Sequence, residues 1–167
     1  MKKGTRKVMR TRVSLALVAL LACAALGQET KPHSNVMPSH YDPARDANKD
    51  ILDAVGEANR TGKRVLLDVG GEWCVWCHRM DSFIEQNAVL AKLLEKHYVV
   101  VKINVDPKNR NEAVLSRYPT IPGYPHLFVL DRNGKLLHSQ DTSELEAGKS
   151  YDLDRFKLFL EKWAPTT

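Results

Sequence analysis

Residues 65–78 read Val65-Leu66-Leu67-Asp68-Val69-Gly70-Gly71-Glu72-Trp73-Cys74-Val75-Trp76-Cys77-His78. An apolar run interrupted by one acid, followed by two cysteines three apart, has the order of a buried strand, a turn and a redox dithiol. Three residues make about one helical turn. A helix starting at Cys74 therefore puts both sulfurs on one face near its N-terminus, close enough for a small disulfide ring. That end of a helix carries partial positive charge and free N–H groups, which favour a thiolate on Cys74. The thiolate is the species that attacks disulfides. The same residues also spell Cys-x-x-Cys-His, the attachment signal for c-type haem, so the motif alone supports two chemistries.

Upstream, residues 1–27 have the make-up of a secretory signal. Lys2, Lys3, Arg6, Lys7, Arg10 and Arg12 form a basic start, and Val13 to Leu26 is apolar but short for a membrane span. Ala25-Leu26-Gly27 offers a cleavage site before Gln28. Leu20-Leu21-Ala22-Cys23 is similar to a bacterial lipobox, which makes Cys23 a candidate lipidation site and a lipid anchor an alternative to a soluble exported protein. Several acyl chains anchor firmly where one does not.

The leader also accounts for the charge. The chain carries +5 overall, but residues 1–27 hold six basic residues and no acidic ones, leaving 19 basic against 20 acidic in the remainder. Nothing in that balance calls for a nucleic-acid partner. Of three cysteines, only Cys74 and Cys77 remain beyond the leader. Exported compartments are oxidising, so an isolated pair can form a disulfide there. A structural staple usually closes a longer loop. A zinc site would need two further ligands at suitable spacing, and none is evident, so no metal is expected.

Residues 28–47 are rich in Pro, His, Ser and Asn and read as a linker or N-terminal arm, leaving 48–167 as one domain. Asn48 or Asp50 can cap a helix that ends near Gly62. Arg64–Val69 reads as a buried strand, and a helix is expected from Cys74 to about Gln86. Asn87 can cap another helical stretch. Tyr98–Val105 is almost wholly apolar and is expected to be a central strand. A short helix covers about 111–117. Strands 127–130 and 135–139 flank Asn133-Gly134, a strong hairpin signal. A last helix runs over about 152–163 before Pro165. Strand-helix-strand followed by a hairpin implies an α/β fold, a central mixed β-sheet flanked by helices on both faces.

With these elements in place the chain resembles the thioredoxin-fold family over roughly Asn48–Trp163. Asp68, six before the first cysteine, and Trp73, directly before it, match the family's strand acid and active-site tryptophan. Lys102 matches a strand lysine that members pair with that acid. Gly123-Tyr124-Pro125 matches the cis-proline loop opposite the dithiol, and Asn133-Gly134 the hairpin. The Val-Trp dipeptide between the cysteines, the absence of a kinking proline in the following helix, and Gly70 where thioredoxin has an aromatic all depart from thioredoxin. The cluster is more similar to exported bacterial thioredoxin-like proteins with a WCxxC site.

The resemblance implies a thiol–disulfide oxidoreductase of the periplasm, monomeric and without a cofactor. Its partners would be protein thiols and disulfides and an unidentified redox partner. Cys74 would be the exposed attacking thiolate and Cys77 the resolving thiol. Asp68, costly to ionise in an apolar strand, would take the Cys77 proton, with Lys102 moderating it. Pro125 is a candidate cis proline that leaves the backbone of Tyr124 free for substrate. Trp73 and Trp76 would form an apolar docking surface, although Trp76 packs equally well into the core. His78 reads equally as a positive neighbour of the thiolate or as a solvent-facing residue. A reductase or isomerase is favoured over an oxidase, because no His lies between the cysteines. The alternatives are a non-catalytic thioredoxin-like binding or assembly module and, more remotely, a c-type haem protein. Haem attachment has no need of Asp68, Lys102 or Pro125.

Overall fold

The computed structural model describes Met1 and residues 37–166. The expected leader, with Cys23, and residues 28–36 of the expected arm lie outside the described residues.

Among the described residues twelve elements follow in order. Helix α1 (Ala47–Thr61) leads into strand β1 (Arg64–Gly70), and helices α2 (Val75–Gln86) and α3 (Ala88–His97) lead into β2 (Tyr98–Asn104). A one-turn helix α4 (Glu112–Leu115) precedes the hairpin β3 (His126–Leu130) and β4 (Leu136–Asp141). A 3-10 turn over Thr142–Leu145, a small hairpin of β5 (Glu146–Ala147) and β6 (Ser150–Tyr151), and α5 (Leu153–Lys162) complete the domain.

The ends of α1 are set by local chemistry. Its N-cap is Asp46, whose carboxylate accepts the Lys49 N–H at 3.1 Å, so the helix begins just ahead of the expected Asn48 or Asp50. Gly62 stops it in the left-handed conformation (φ 73°), where a side chain would be strained. Asn87 makes no side-chain cap for α3; its Nδ2 donates instead to the Phe83 carbonyl at 2.7 Å.

The four-stranded sheet has the order β2-β1-β3-β4. β1 and β2 run parallel, while β1–β3 and β3–β4 are antiparallel. The expectation of a central β2 is corrected: among the described residues β2 is an edge strand. Its apolar character comes from the helices over both faces, not from neighbours on both sides. Alternation along the strands divides the core in two. Leu66, Leu127 and Val129 pack with Met80, Ile84, Leu90, Leu94, Phe156 and Leu160 of α2, α3 and α5. Val65, Leu67, Val69, Phe128 and Leu130 pack with Ile51, Ala54 and Ala58 of α1. Asp68 shares the face of Leu66, and Lys102 the face of Val100, so both point toward the helix that carries the cysteines. That parity decides the environment of the site.

Candidate redox site

Cys74 is the N-cap of α2, with extended backbone (φ −88°, ψ 102°), and its Sγ accepts the Cys77 N–H at 3.1 Å. No acid occupies the first turn to oppose the positive end of the helix. The two sulfurs are joined in a disulfide with Cα atoms 5.2 Å apart. Cys77 is fully buried and Cys74 is 4% exposed, so the expected exposed Cys74 is in fact nearly covered when the pair is oxidised.

Asp68 is fully buried in the sheet and is linked to the pair through Tyr41, whose ring packs with both cysteines. Its Oδ1 accepts a hydrogen bond from the Tyr41 hydroxyl at 2.7 Å, while its Oδ2 has no partner among the described residues. Burial pushes its carboxyl up to about 7, against the lowering effect of Lys102 and of the tyrosine hydrogen bond; Asp81 adds to the rise. The expected pairing of Lys102 with Asp68 is corrected. The two are register partners on β1 and β2, but the Lys102 ammonium makes its ion pair with Asp81, one helical turn beyond Cys77 on α2. Burial raises Asp81 from the usual carboxylate range, with Lys102 acting against it.

The loop across from the helix carries a cis Tyr124–Pro125 peptide bond. The Thr142 hydroxyl holds the Pro125 carbonyl at 2.6 Å. Tyr124 packs against the cluster of Tyr41, Cys74 and Cys77. Its ring meets Trp73 edge-on, with centroids 5.6 Å apart. Trp73 is 56% exposed, yet its Nε1 donates to the Val105 carbonyl at 2.7 Å. Trp76 also packs against that cluster. It sits edge-on to Tyr151 at 5.7 Å, with the Arg79 guanidinium 4.6 Å from its ring centroid. Of the two tryptophans, Trp73 is the exposed one. His78 has its Nε2 2.8 Å from the Glu72 carbonyl oxygen, beside the Glu72 carboxylate at 3.9 Å.

Sequence reasoning missed three participants. Tyr41 gave no periodic signal inside a Pro- and His-rich stretch. Asp81 could have been found from its i,i+4 spacing to Cys77, which places both on one helix face. Glu72, whose Oε1 accepts the Tyr41 N–H at 2.6 Å, reads in sequence as an ordinary turn acid. Chemically, the assembly is a two-electron couple at a helix N-terminus, joined through Tyr41 to a buried acid of near-neutral proton affinity.

A sequence profile of the family described as Thioredoxin-like matches residues 46–132, just over half of the chain. The thiol:disulfide interchange protein DsbD of Actinobacillus pleuropneumoniae is 31% identical over 90 residues, 53% of this chain and 15% of that protein. The disulfide bond reductase DsbH of Chlamydia pneumoniae is 28% identical over 80 residues, 43% of this chain and 48% of that protein. The chain thus spans less than half of these relatives, and only 15% to 18% of the first DsbD proteins it matches. Among solved structures, a disulphide isomerase from Xylella fastidiosa superposes with a TM-score of 0.64 at 29% identity, covering 73% of this chain and 94% of that one. The C-terminal domain of Neisseria meningitidis DsbD, at 21% identity and a TM-score of 0.51, shares the fold over 71% of this chain. The chain belongs to the thioredoxin-like family.

Proposed function

We propose that this protein is an exported thiol–disulfide oxidoreductase that exchanges disulfides with cysteines of other proteins through Cys74 and Cys77, as a reductase or isomerase. The observation that carries the reading is the Cys74–Cys77 bond at the N-terminus of α2, packed with Tyr41, which hydrogen-bonds the buried acid Asp68.

In the reduced protein, the Cys77 N–H and the helix end favour a thiolate on Cys74. That thiolate attacks one sulfur of a substrate disulfide. A mixed disulfide forms, and the other substrate sulfur leaves as a thiolate. Cys77 gives its proton to Asp68, and the resulting thiolate attacks Cys74 Sγ. The Cys74–Cys77 bond forms, the second substrate sulfur leaves, and two electrons have passed to the substrate. An external dithiol would restore the reduced pair. Trp73 and the Tyr124–Pro125 loop supply the docking face, while the half-buried Trp76 packs between the cysteine cluster and Tyr151. The names of the DsbH and Xylella relatives, a reductase and an isomerase, support a reductase or isomerase role over that of an oxidase. The basic and apolar leader supports export.

Reduction of insulin in the presence of dithiothreitol tests the reading. The wild-type chain should accelerate precipitation well above dithiothreitol alone, and Cys74→Ser should abolish the gain. Equal rates for the two proteins would sink it. A reduction potential at or below about −180 mV fits a reductase or isomerase, whereas one near about −120 mV marks an oxidant. Intact mass of the exported protein distinguishes a start at Gln28 from a lipid-bearing start at Cys23.

A further inference from the structure

Tyr41 precedes the first helix of the domain, yet it is 1% exposed and the redox site engages every part of it. Its N–H donates to Glu72 Oε1 at 2.6 Å, and its hydroxyl donates to Asp68 Oδ1 at 2.7 Å. Lys102 Nζ stands 4.3 Å from its ring centroid, and the ring forms one buried cluster with Cys74 and Cys77. The phenol fits because residue 70 is glycine. A Cβ there would lie 2.5 Å from Cys77 Sγ and 3.0 Å from both Cζ and Oη of Tyr41. The hydroxyl and the Cys77 sulfur therefore border the same small space. The segment is pinned further along, where Asn109 Nδ2 donates to the Pro43 carbonyl at 3.0 Å.

We propose that Tyr41 is a positioning residue of the redox site: it occupies Asp68 Oδ1, covers the carboxylate from water, and leaves the bare Oδ2 to receive the Cys77 proton. The proposal rests on the thiol–disulfide reading, and it concerns a residue outside the strand, helix and loop that reading employs. A hydrogen bond to the ionised carboxylate favours that form, so Tyr41 sets how much of the acid is ready to accept a proton near neutral pH. Burial and the Asp68 charge push the phenol itself well above its ordinary range, so it remains a donor throughout. The other titratable groups that act on Asp68 are Lys102 from β2 and Asp81 from α2, with Tyr151 at longer range from β6. Tyr41 is the one among these with a hydrogen bond to the carboxylate among the described residues.

The test is Tyr41→Phe in the full chain, which deletes one hydroxyl and keeps the ring. Difference infrared spectroscopy follows the C=O stretch of protonated Asp68 against pH, with Asp68→Asn as the blank. Loss of a hydrogen bond to a charged group should move the midpoint up by about one pH unit. Resolution of a pre-formed Cys74 mixed disulfide should then slow several-fold at pH 7 and recover at pH 9. Site-specific 3-fluorotyrosine at position 41, a stronger donor of the same shape, should move the midpoint down, which keeps the test alive even if Tyr41→Phe fails to fold. A midpoint unchanged in both variants overturns the proposal, as does a rate loss that is uniform across pH. The infrared midpoint is read without any substrate. A wild-type chain that leaves insulin untouched would defeat the oxidoreductase reading and not this measurement.

Discussion

Lys102 on β2 forms its ion pair with Asp81 on α2, although its register partner on the neighbouring strand is Asp68. The lysine side chain is almost fully enclosed, so the pair is desolvated. Deleting one partner of a buried pair leaves an uncompensated charge, at a cost of about 3–5 kcal/mol. Here two carboxylates, not one, would lose their cation.

Lys102→Met should therefore lower the unfolding free energy by about 3 kcal/mol at pH 8. The effect has a sign in pH. Burial already raises Asp81, and Lys102 opposes that rise. Without the lysine the carboxyls take up protons at higher pH and shed the unfavourable charge. The loss should shrink as pH falls toward 4.5, as measured by urea denaturation at the two pH values. An equal loss at both would mean that the lysine supplies packing and not charge.

Asp68 carries the opposite lesson to the usual stabilising carboxylate. Its folded value of about 7 lies above the ordinary 3.8, so the folded state holds the extra proton between those values. Stability then declines as pH rises from about 4 to about 7, and the full cost of the buried charge is present above that window. Asp68→Asn should be more stable than wild type by roughly 2–4 kcal/mol at pH 8 and similar to it below pH 4. It should also slow release of the mixed disulfide on the order of 100-fold at neutral pH, the usual weight of a general base. Chemical denaturation across pH, and non-reducing gels of the trapped intermediate, read the two effects separately. A variant no more stable than wild type at pH 8 would show that Asp68 is not held against its own burial.

Much of this site was legible because the signals are local. The Val65–Val69 run, the i,i+3 cysteines, the lone acid in an apolar strand and Asn133-Gly134 each specify their geometry within a few residues. What escaped depends on chain brought from elsewhere. Tyr41 reaches Asp68 across 27 positions of sequence, and nothing around it is periodic. Its one sequence trace is indirect: Gly70 leaves a space under the helix that another aromatic must fill. The partner of Lys102 was missed for a different reason. Strand alternation fixes the face on which Lys102 lies, but that face offers two acids, one on β1 and one on α2. The edge position of β2 was invisible because helices on both faces demand apolar residues on both, whether or not a strand lies on each side.

Gly70→Ala tests the space itself. Gly70 lies in β1 outside the left-handed region, so the cost is steric and not conformational. The added methyl would sit 2.5 Å from Cys77 Sγ and 3.0 Å from the Tyr41 phenol, and both must give way. Overpacking of this kind costs about 1–3 kcal/mol. Because the atoms displaced are the resolving sulfur and the residue that holds Asp68, resolution should slow by more than the first attack on substrate. Stopped-flow tryptophan fluorescence of the two phases reads the difference. Equal slowing of both would mean that the methyl loosens the helix as a whole.

Trp73 is the last element to be weighed, because its exposure and its order are at odds. More than half of it is open to water, yet its Nε1 is tied to the Val105 carbonyl and its ring rests edge-on against Tyr124. Gly71 makes the tie feasible, since a Cβ there would come within 2.5 Å of the indole nitrogen. An aromatic already held in one orientation loses little freedom when a partner covers it. Stacking or edge contact with a substrate chain is worth roughly 0.5–1.5 kcal/mol beyond the area buried. Trp73→Ala should therefore raise KM for a protein disulfide about tenfold, with kcat little changed. A small disulfide such as oxidised glutathione, too short to reach the indole while bonded to Cys74, should be reduced at the wild-type rate. Trp73→Phe keeps a ring but not the tie to Val105, and should fall between the two. If both substrates suffer alike, Trp73 serves the dithiol beside it, and the docking face must lie on the Tyr124–Pro125 loop alone.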